Sequence, residues 1–144
     1  MNQTLITFLG RTSSGGAAYR KTCYDFGDGK ASDPVAFLGW PLAERLKPRR
    51  MVILGTSGSM WDHLFEGDLN LGSAAENERL KLLHKMDQDQ EVEPDDLQPL
   101  EPLLEERLGC DVRLRMIPYC RNQAEQAELL QILAANVETG DRVH

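Results

Sequence analysis

The sequence predicts an α/β fold, a Rossmann-like, doubly wound domain with a mainly parallel sheet that is incomplete at its C-terminus. Apolar, β-prone runs alternate with helical patterns along the 144 residues. The run Met-Val-Ile-Leu at 51–54 is apolar without a break, which is typical of a strand covered on both faces of a parallel sheet. Residues 142–144 look like the start of another strand, so we expect further sequence or a second chain to complete the sheet.

Each predicted element has a local reason. Short apolar runs predict strands, and the alternation of apolar and basic residues in the third strand is typical of a sheet edge. Gly27-Asp28-Gly29 predicts the turn of a hairpin-like excursion. Apolar residues at helical spacing predict helices, with Gly109 and Asn122 as capping residues. In chain order we predict a strand at 5–9, the excursion at 19–35, a helix at 37–46, a strand at 51–54, a charged helical insertion with a solvated link at about 74–99, a helix at 100–108, a strand at 112–117, a helix at 122–137 and a strand from 142.

Composition and charge exclude several classes of protein. No apolar run approaches the ~20 residues that cross a membrane, and the N-terminus lacks the pattern of a secretion signal, so we expect a cytoplasmic protein without a membrane partner. The formal net charge of -7 repels phosphate backbones, which argues against duplex nucleic acid as a partner. The 3 cysteines lack zinc-site spacing, so we predict reduced thiols, no metal and no cofactor. His63 has no partner at metal spacing and is expected on a helix surface.

Two loops rich in glycine and hydroxyl residues follow predicted strands, at 10–16 (GRTSSGG) and at 55–60 (GTSGSM). Glycines let backbone N–H groups approach a ligand, and hydroxyls hydrogen-bond phosphate or ribose oxygens. Open parallel sheets bind ligands beyond the carboxyl ends of their strands. Neither loop has the Walker or the GxGxxG pattern. Two interpretations stay open: the loops together cradle the phosphates of an anionic nucleotide, or each is only a tight strand-to-helix turn.

Five segments together resemble CRISPR-associated Rossmann-fold (CARF) proteins, in the branch that carries an LGTSGSMWD motif. They are LITFLG, YRKTCYDF, FLGWPLAERLKPRRMVILGTSGSMWD, IPYCRNQAEQ and TGDRVH, and they extend over nearly the whole chain. The resemblance implies that residues 1–144 are the N-terminal part of a ligand-sensing domain. It also implies a homodimer that binds cyclic tetra- or hexa-adenylate near its two-fold axis, and so controls an attached or associated effector in type III CRISPR antiviral defence. A later Asp-x-Thr-His-Gly-x-Arg-like loop, also implied, would begin beyond His144.

Positions that match the strand-end loops of this family give the candidate ligand-binding residues. Arg11 or Arg20 would form charge-assisted hydrogen bonds to phosphate, and Tyr19 or Trp61 would stack on adenine. A helix that begins near Trp61 would direct the positive end of its dipole at the same anion. The predicted ligand-binding residues are Gly10, Arg11, Thr12, Ser13, Tyr19, Arg20, Gly55, Thr56, Ser57, Gly58, Ser59, Met60 and Trp61.

Three other functions stay open on the sequence. In the first, the chain cleaves the ring that it binds, with Ser57, Thr56 and Arg11 positioning a ribose 2′-hydroxyl against the neighbouring phosphate without a metal. In the second, Arg79 and His84 form the R-x4-H pattern of HEPN ribonucleases, a spacing that an ordinary surface helix also contains. In the third, the chain only dimerises or docks on another chain. For the sensor itself we expect no catalytic residue.

Overall fold

Four parallel strands form one sheet in the computed structural model, which describes residues 2–11, 20–65, 69 and 71–144. Across the sheet the strands stand in the order third, second, first, fourth. The predicted α/β fold is therefore confirmed, and the all-parallel order is compatible with a Rossmann-like winding. The strands are β1 Gln3–Phe8, β2 Arg50–Gly55, β3 Asp111–Met116 and β4 Arg142–Val143.

Helices connect the strands in the predicted order, with changes at their ends. The helix after β1 begins at Gly39, and Pro41 lies in its first turn, where a missing N–H costs no helical hydrogen bond. The helix after β3 follows Asn122, whose Oδ1 accepts a hydrogen bond from the Glu125 backbone N–H at 2.9 Å, so the predicted N-cap is confirmed. The helices are α1 Gly39–Leu46, α2 Gly72–Asp87, α3 Pro94–Leu97, α4 Glu101–Leu108 and α5 Gln123–Ala135, with 3-10 helices at Trp61–Phe65 and Gln98–Leu100.

The segment predicted to be a solvated link is folded instead. Val92 and Leu97 are only 2% and 1% exposed, and both pack into the core. The Asp96 carboxylate accepts hydrogen bonds from the Glu93 backbone N–H at 2.8 Å and from Lys85 Nζ at 2.6 Å, so it caps α3 and holds it against α2. The prediction was wrong because isolated apolar residues among acidic ones form no periodic pattern from which burial can be inferred.

The hydrophobic core lies on one face of the sheet. Paired residues of neighbouring strands point to the same face, and the row Leu5, Met51 and Val112 is buried there. Trp61 and Leu104 belong to the same cluster, so the first 3-10 helix and α4 cover this face. All six residues of β2 are buried, as its apolar run predicts, whereas β3 stands at the predicted edge and is buried only at alternate positions.

A buried arginine joins the sheet to the end of α5. The Arg50 side chain is 5% exposed; its Nε donates to Asp111 Oδ2 at 2.6 Å, its Nη2 to Glu138 Oε1 at 3.0 Å and its Nη1 to the Asn136 carbonyl at 3.3 Å. The hydrogen bond to Asp111 raises the pKa of Arg50 above its ordinary value, so the guanidinium stays charged. This network fixes the amino ends of β2 and β3, at the edge of the sheet opposite the loops that follow the two strands.

The described part of the predicted excursion, residues 20–35, forms two isolated antiparallel bridges and no continuous ladder. Gly27 and Gly29 have φ angles of 81° and 78°, in the left-handed region that favours glycine, which fits the predicted turn. Arg45 of α1 forms an ion pair with Asp28 in this turn. The excursion is thus attached to α1, although most of it has no regular strand structure.

Candidate functional site

The loops that follow β1 and β2 lie against each other at one edge of the sheet. The Met60 N–H donates to the Gly10 carbonyl at 3.1 Å, and Ser59 Oγ donates to the Leu9 carbonyl at 2.8 Å. The chain runs from β1 through β2 to β3 and then returns to the other side of β1, so β1 stands where the strand order reverses. Open α/β sheets form their ligand crevices at the carboxyl ends of such strands. The described parts of the two loops therefore meet where the sequence predicts.

The inner half of the second loop, which consists of Ser59 and Met60 and leads into Trp61, is buried and supports the fold. Ser59 Oγ accepts a hydrogen bond from the Thr56 N–H at 2.9 Å, and Trp61 Nε1 donates to the Thr56 carbonyl at 3.0 Å. Ser59, Met60 and Trp61 are 4%, 5% and 0% exposed. A Cβ on Gly55 would lie 2.6 Å from the Trp61 ring, so glycine is needed there for close packing. This burial corrects the prediction that Trp61 stacks on adenine, since its ring is enclosed in the core.

The outer half of the same loop, residues 56–58, is accessible. Thr56, Ser57 and Gly58 are half-buried, and Arg11 from the first loop is exposed. Arg11 Nη1 lies 3.8 Å from the position that a Cβ on Gly58 would occupy, so the guanidinium stands over this part of the loop. A guanidinium, two hydroxyls and a glycine backbone thus share one surface. These are the groups that bind phosphate in proteins.

A third loop, after β3, also reaches this surface and was missed by the sequence reasoning. The Ile117 N–H donates to the Gly55 carbonyl at 2.8 Å, and Tyr119 Oη lies 3.4 Å from Ser57 Oγ. Hydrogen bonds with the Ser57 and Thr56 hydroxyls lower the pKa of the Tyr119 phenol below its ordinary value. The sequence did contain one indication of this: the loop directly follows a predicted strand, and it therefore belongs to the same edge of the sheet as the other two loops.

Arg20, another predicted ligand-binding residue, is exposed at the start of the described part of the excursion. Its neighbour Lys21 lines a cleft of about 790 Å³ together with Pro48 and Gly109, which precede β2 and β3. The cleft therefore lies at the amino edge of the sheet, a strand length of roughly 20 Å away from the two loops. Arg20 adjoins Lys21 in the chain, and its role as a ligand-binding residue stays a prediction. The predicted residues Thr12, Ser13 and Tyr19 lie outside the described residues.

The helix predicted near Trp61 is a 3-10 helix of 5 residues, too short to carry the predicted dipole. It contains His63, which is 4% exposed, so the prediction that His63 lies on a helix surface was wrong. His63 Nε2 lies 3.7 Å from Asp62 Oδ2, and that carboxylate is buried as well. Among the described residues, no group of three or more His, Cys, Asp or Glu side chains is arranged to hold a metal ion.

The ribonuclease pattern falls on one helix. Arg79 and His84 both belong to α2, where a separation of five residues puts them about 140° apart around the axis. Arg79 forms hydrogen bonds of 2.7 and 2.9 Å to the Glu76 carboxylate one turn earlier. The Arg79 and His84 side chains therefore point in different directions, as charged side chains commonly do on a surface helix.

Comparison with models of known protein families finds no match for this chain, and no curated protein matches it. Within the described ranges, no helix has the length and apolar character required to span a bilayer.

Proposed function

We propose that this chain binds a cyclic oligoadenylate, cyclic tetra- or hexa-adenylate, at the carboxyl edge of its sheet. The observation that carries the proposal is the position of Arg11 over Gly58, beside the Ser57 hydroxyl. A cyclic oligoadenylate has one negative charge per nucleotide, so its phosphates require hydrogen-bond donors and cations. Since the chain as a whole has a formal charge of -7, these donors have to act locally.

The biological role rests on the segments that resemble CARF proteins. In this role two copies of the chain share the ligand at a two-fold axis, in the cytoplasm, during type III CRISPR antiviral defence. The ligand binds one arrangement of the dimer more tightly than another, and this difference shifts the population of an attached or associated effector to its active state. The chain acts as a sensor, and its own residues perform no chemistry.

Isothermal titration calorimetry with each ring tests the binding. Arg11→Ala removes a charge-assisted hydrogen bond and Ser57→Ala removes a hydroxyl, so we expect affinity to fall by about tenfold or more for the first and by several-fold for the second. Arg79→Ala is the control, because Arg79 pairs with Glu76 on α2 and should leave the affinity unchanged. Equal affinities for the three variants would rule out this assignment of the site. If neither ring binds to the unaltered chain, the proposal itself is overturned.

Ring cleavage is the second candidate function. It is favoured by one specific observation: the hydroxyls of Thr56, Ser57 and Tyr119 lie together, next to the Arg11 guanidinium. Donors of this kind stabilise charge on a phosphate that is attacked by the neighbouring 2′-hydroxyl. Incubation with radiolabelled ring, followed by chromatography, distinguishes the two functions: linear products that disappear with Arg11→Ala indicate a nuclease, and intact ring indicates a sensor.

A further inference from the structure

The loop after β3 presents an accessible aromatic ring to the candidate site. Tyr119 is 53% exposed, yet its hydroxyl lies 3.4 Å from Ser57 Oγ. A Cβ on Gly58 would lie 2.8 Å from that hydroxyl, closer than real Cβ atoms approach, so the absence of a side chain at Gly58 makes room for the phenol. The ring is therefore held at its polar end while more than half of the residue stays open to a ligand.

The neighbouring residues hold this ring in place. The Arg121 guanidinium carbon lies 5.6 Å from the centroid of the Tyr119 ring, within the range of a cation–π interaction, and Arg121 Nη2 donates to Glu125 Oε1 at 2.7 Å. Cys120, between the two, has a φ angle of 59°, a strained conformation for a residue with a side chain. Backbone strain of this kind persists where the surrounding structure imposes it, and it clusters at ligand-binding sites.

We infer that Tyr119 is the base-stacking residue of the site, receiving an adenine ring while Arg11 and Ser57 bind the adjoining phosphate. This inference rests on the proposed function and assigns to Tyr119 the role that buried Trp61 does not fill. Phe8 is the competing residue, since it is 60% exposed at the end of β1. Its register partner is Leu54, on the face of the sheet opposite the one that contains Ile53 and the core, whereas the Tyr119 hydroxyl directly contacts Ser57 in the loop beyond the strand ends.

The test is calorimetry with cyclic tetra-adenylate on matched variants. Loss of one base–aromatic stack weakens binding by about fivefold or more, so Tyr119→Ala should show this loss while Phe8→Ala binds like the unaltered chain. Tyr119→Phe keeps the ring and should retain affinity within about threefold. Gly58→Ala displaces the phenol, so it should also weaken binding, and adding it to Tyr119→Ala should cost little more, because both changes remove the same contact.

A fluorescence measurement separates stacking from a purely structural role. In Tyr119→Trp the new indole is exposed, whereas Trp40 and Trp61 are 4% and 0% exposed, so quenching by cyclic tetra-adenylate beyond that of the unaltered chain indicates a stacked base. Affinity of Tyr119→Ala within twofold of the unaltered chain, loss of binding with Phe8→Ala instead, or an unquenched signal from the introduced indole would each overturn this inference and leave the proposed function intact. Failure of the unaltered chain to bind any ring would overturn the proposed function itself.

Discussion

Replacing Ser59 by alanine should lower the free energy of unfolding by about 2 kcal/mol. The Ser59 hydroxyl donates to the Leu9 carbonyl at 2.8 Å and accepts from the Thr56 N–H at 2.9 Å, so one side chain connects the end of β1 to the loop after β2. Ser59 is 4% exposed, and alanine would leave both backbone groups short of a partner. An unsatisfied buried group costs ~1–3 kcal/mol, and water can replace part of this loss at half-buried Thr56.

Thermal and urea denaturation measure this effect. In a domain of this size, 2 kcal/mol corresponds to a decrease in Tm of roughly 4–8 °C. Ser57→Ala is the matched control, because it changes the same residue type in the same loop. Among the residues that the structure describes, the Ser57 hydroxyl contacts exposed Tyr119, at 3.4 Å, so the effect of this substitution should stay within about 0.5 kcal/mol. Equal destabilisation by the two substitutions would refute the division of this loop into a structural inner half and an accessible outer half.

Three further predictions concern packing, acid stability and thiol reactivity. Gly55→Ala should destabilise the fold by about 1–3 kcal/mol in urea denaturation, because its Cβ would lie 2.6 Å from the Trp61 ring; a neutral result would contradict this packing. The Glu138 backbone N–H and the Thr4 hydroxyl lower the pKa of Asp141, so the stability from this carboxylate is fully present above its unfolded pKa of about 3.9 and is lost as the pH falls through the lower folded value. Asp141→Asn should therefore lose less stability than the unaltered chain between pH 5 and pH 2, as urea midpoints at each pH would show, and parallel curves would contradict this. Burial and the neighbouring carboxylates of Asp111 and Glu105 raise the pKa of the Cys110 thiol, so a thiol reagent at pH 8 should modify exposed Cys23 first, as peptide mass mapping would show; preferential labelling of Cys110 would contradict the order.

The sequence predicted those parts of the fold that local patterns determine. The run at 51–54 is buried as the central strand β2, and Asn122 caps α5, because unbroken hydrophobicity and capping chemistry act within a few residues. The alternation of apolar and basic residues correctly predicted that β3 lies at an edge of the sheet. The buried pair Val92 and Leu97 was missed, since their burial depends on elements distant in the chain.

The candidate site was predicted as a region but not residue by residue. Strand-end position placed Gly10 and the loop after β2 together, which the hydrogen bond from the Met60 N–H to Gly10 confirms. No local pattern distinguishes residues that face solvent from residues that face the core in such a loop, so Trp61 was predicted to contact a ligand although it is fully buried. Tyr119 was overlooked for the converse reason: its proximity to Ser57 depends on the pairing of β2 with β3.

A titration of the isotopically labelled chain with cyclic tetra-adenylate, followed by amide chemical shifts in NMR spectra, tests most directly which edge of the sheet binds the ligand. We predict that the largest shifts occur at Arg11, at residues 55–58 and at Tyr119, where the three loops meet. Shifts concentrated at Lys47 and Gly109, which line the cleft at the amino edge, would contradict the account, as would spectra that do not change when the ring is added.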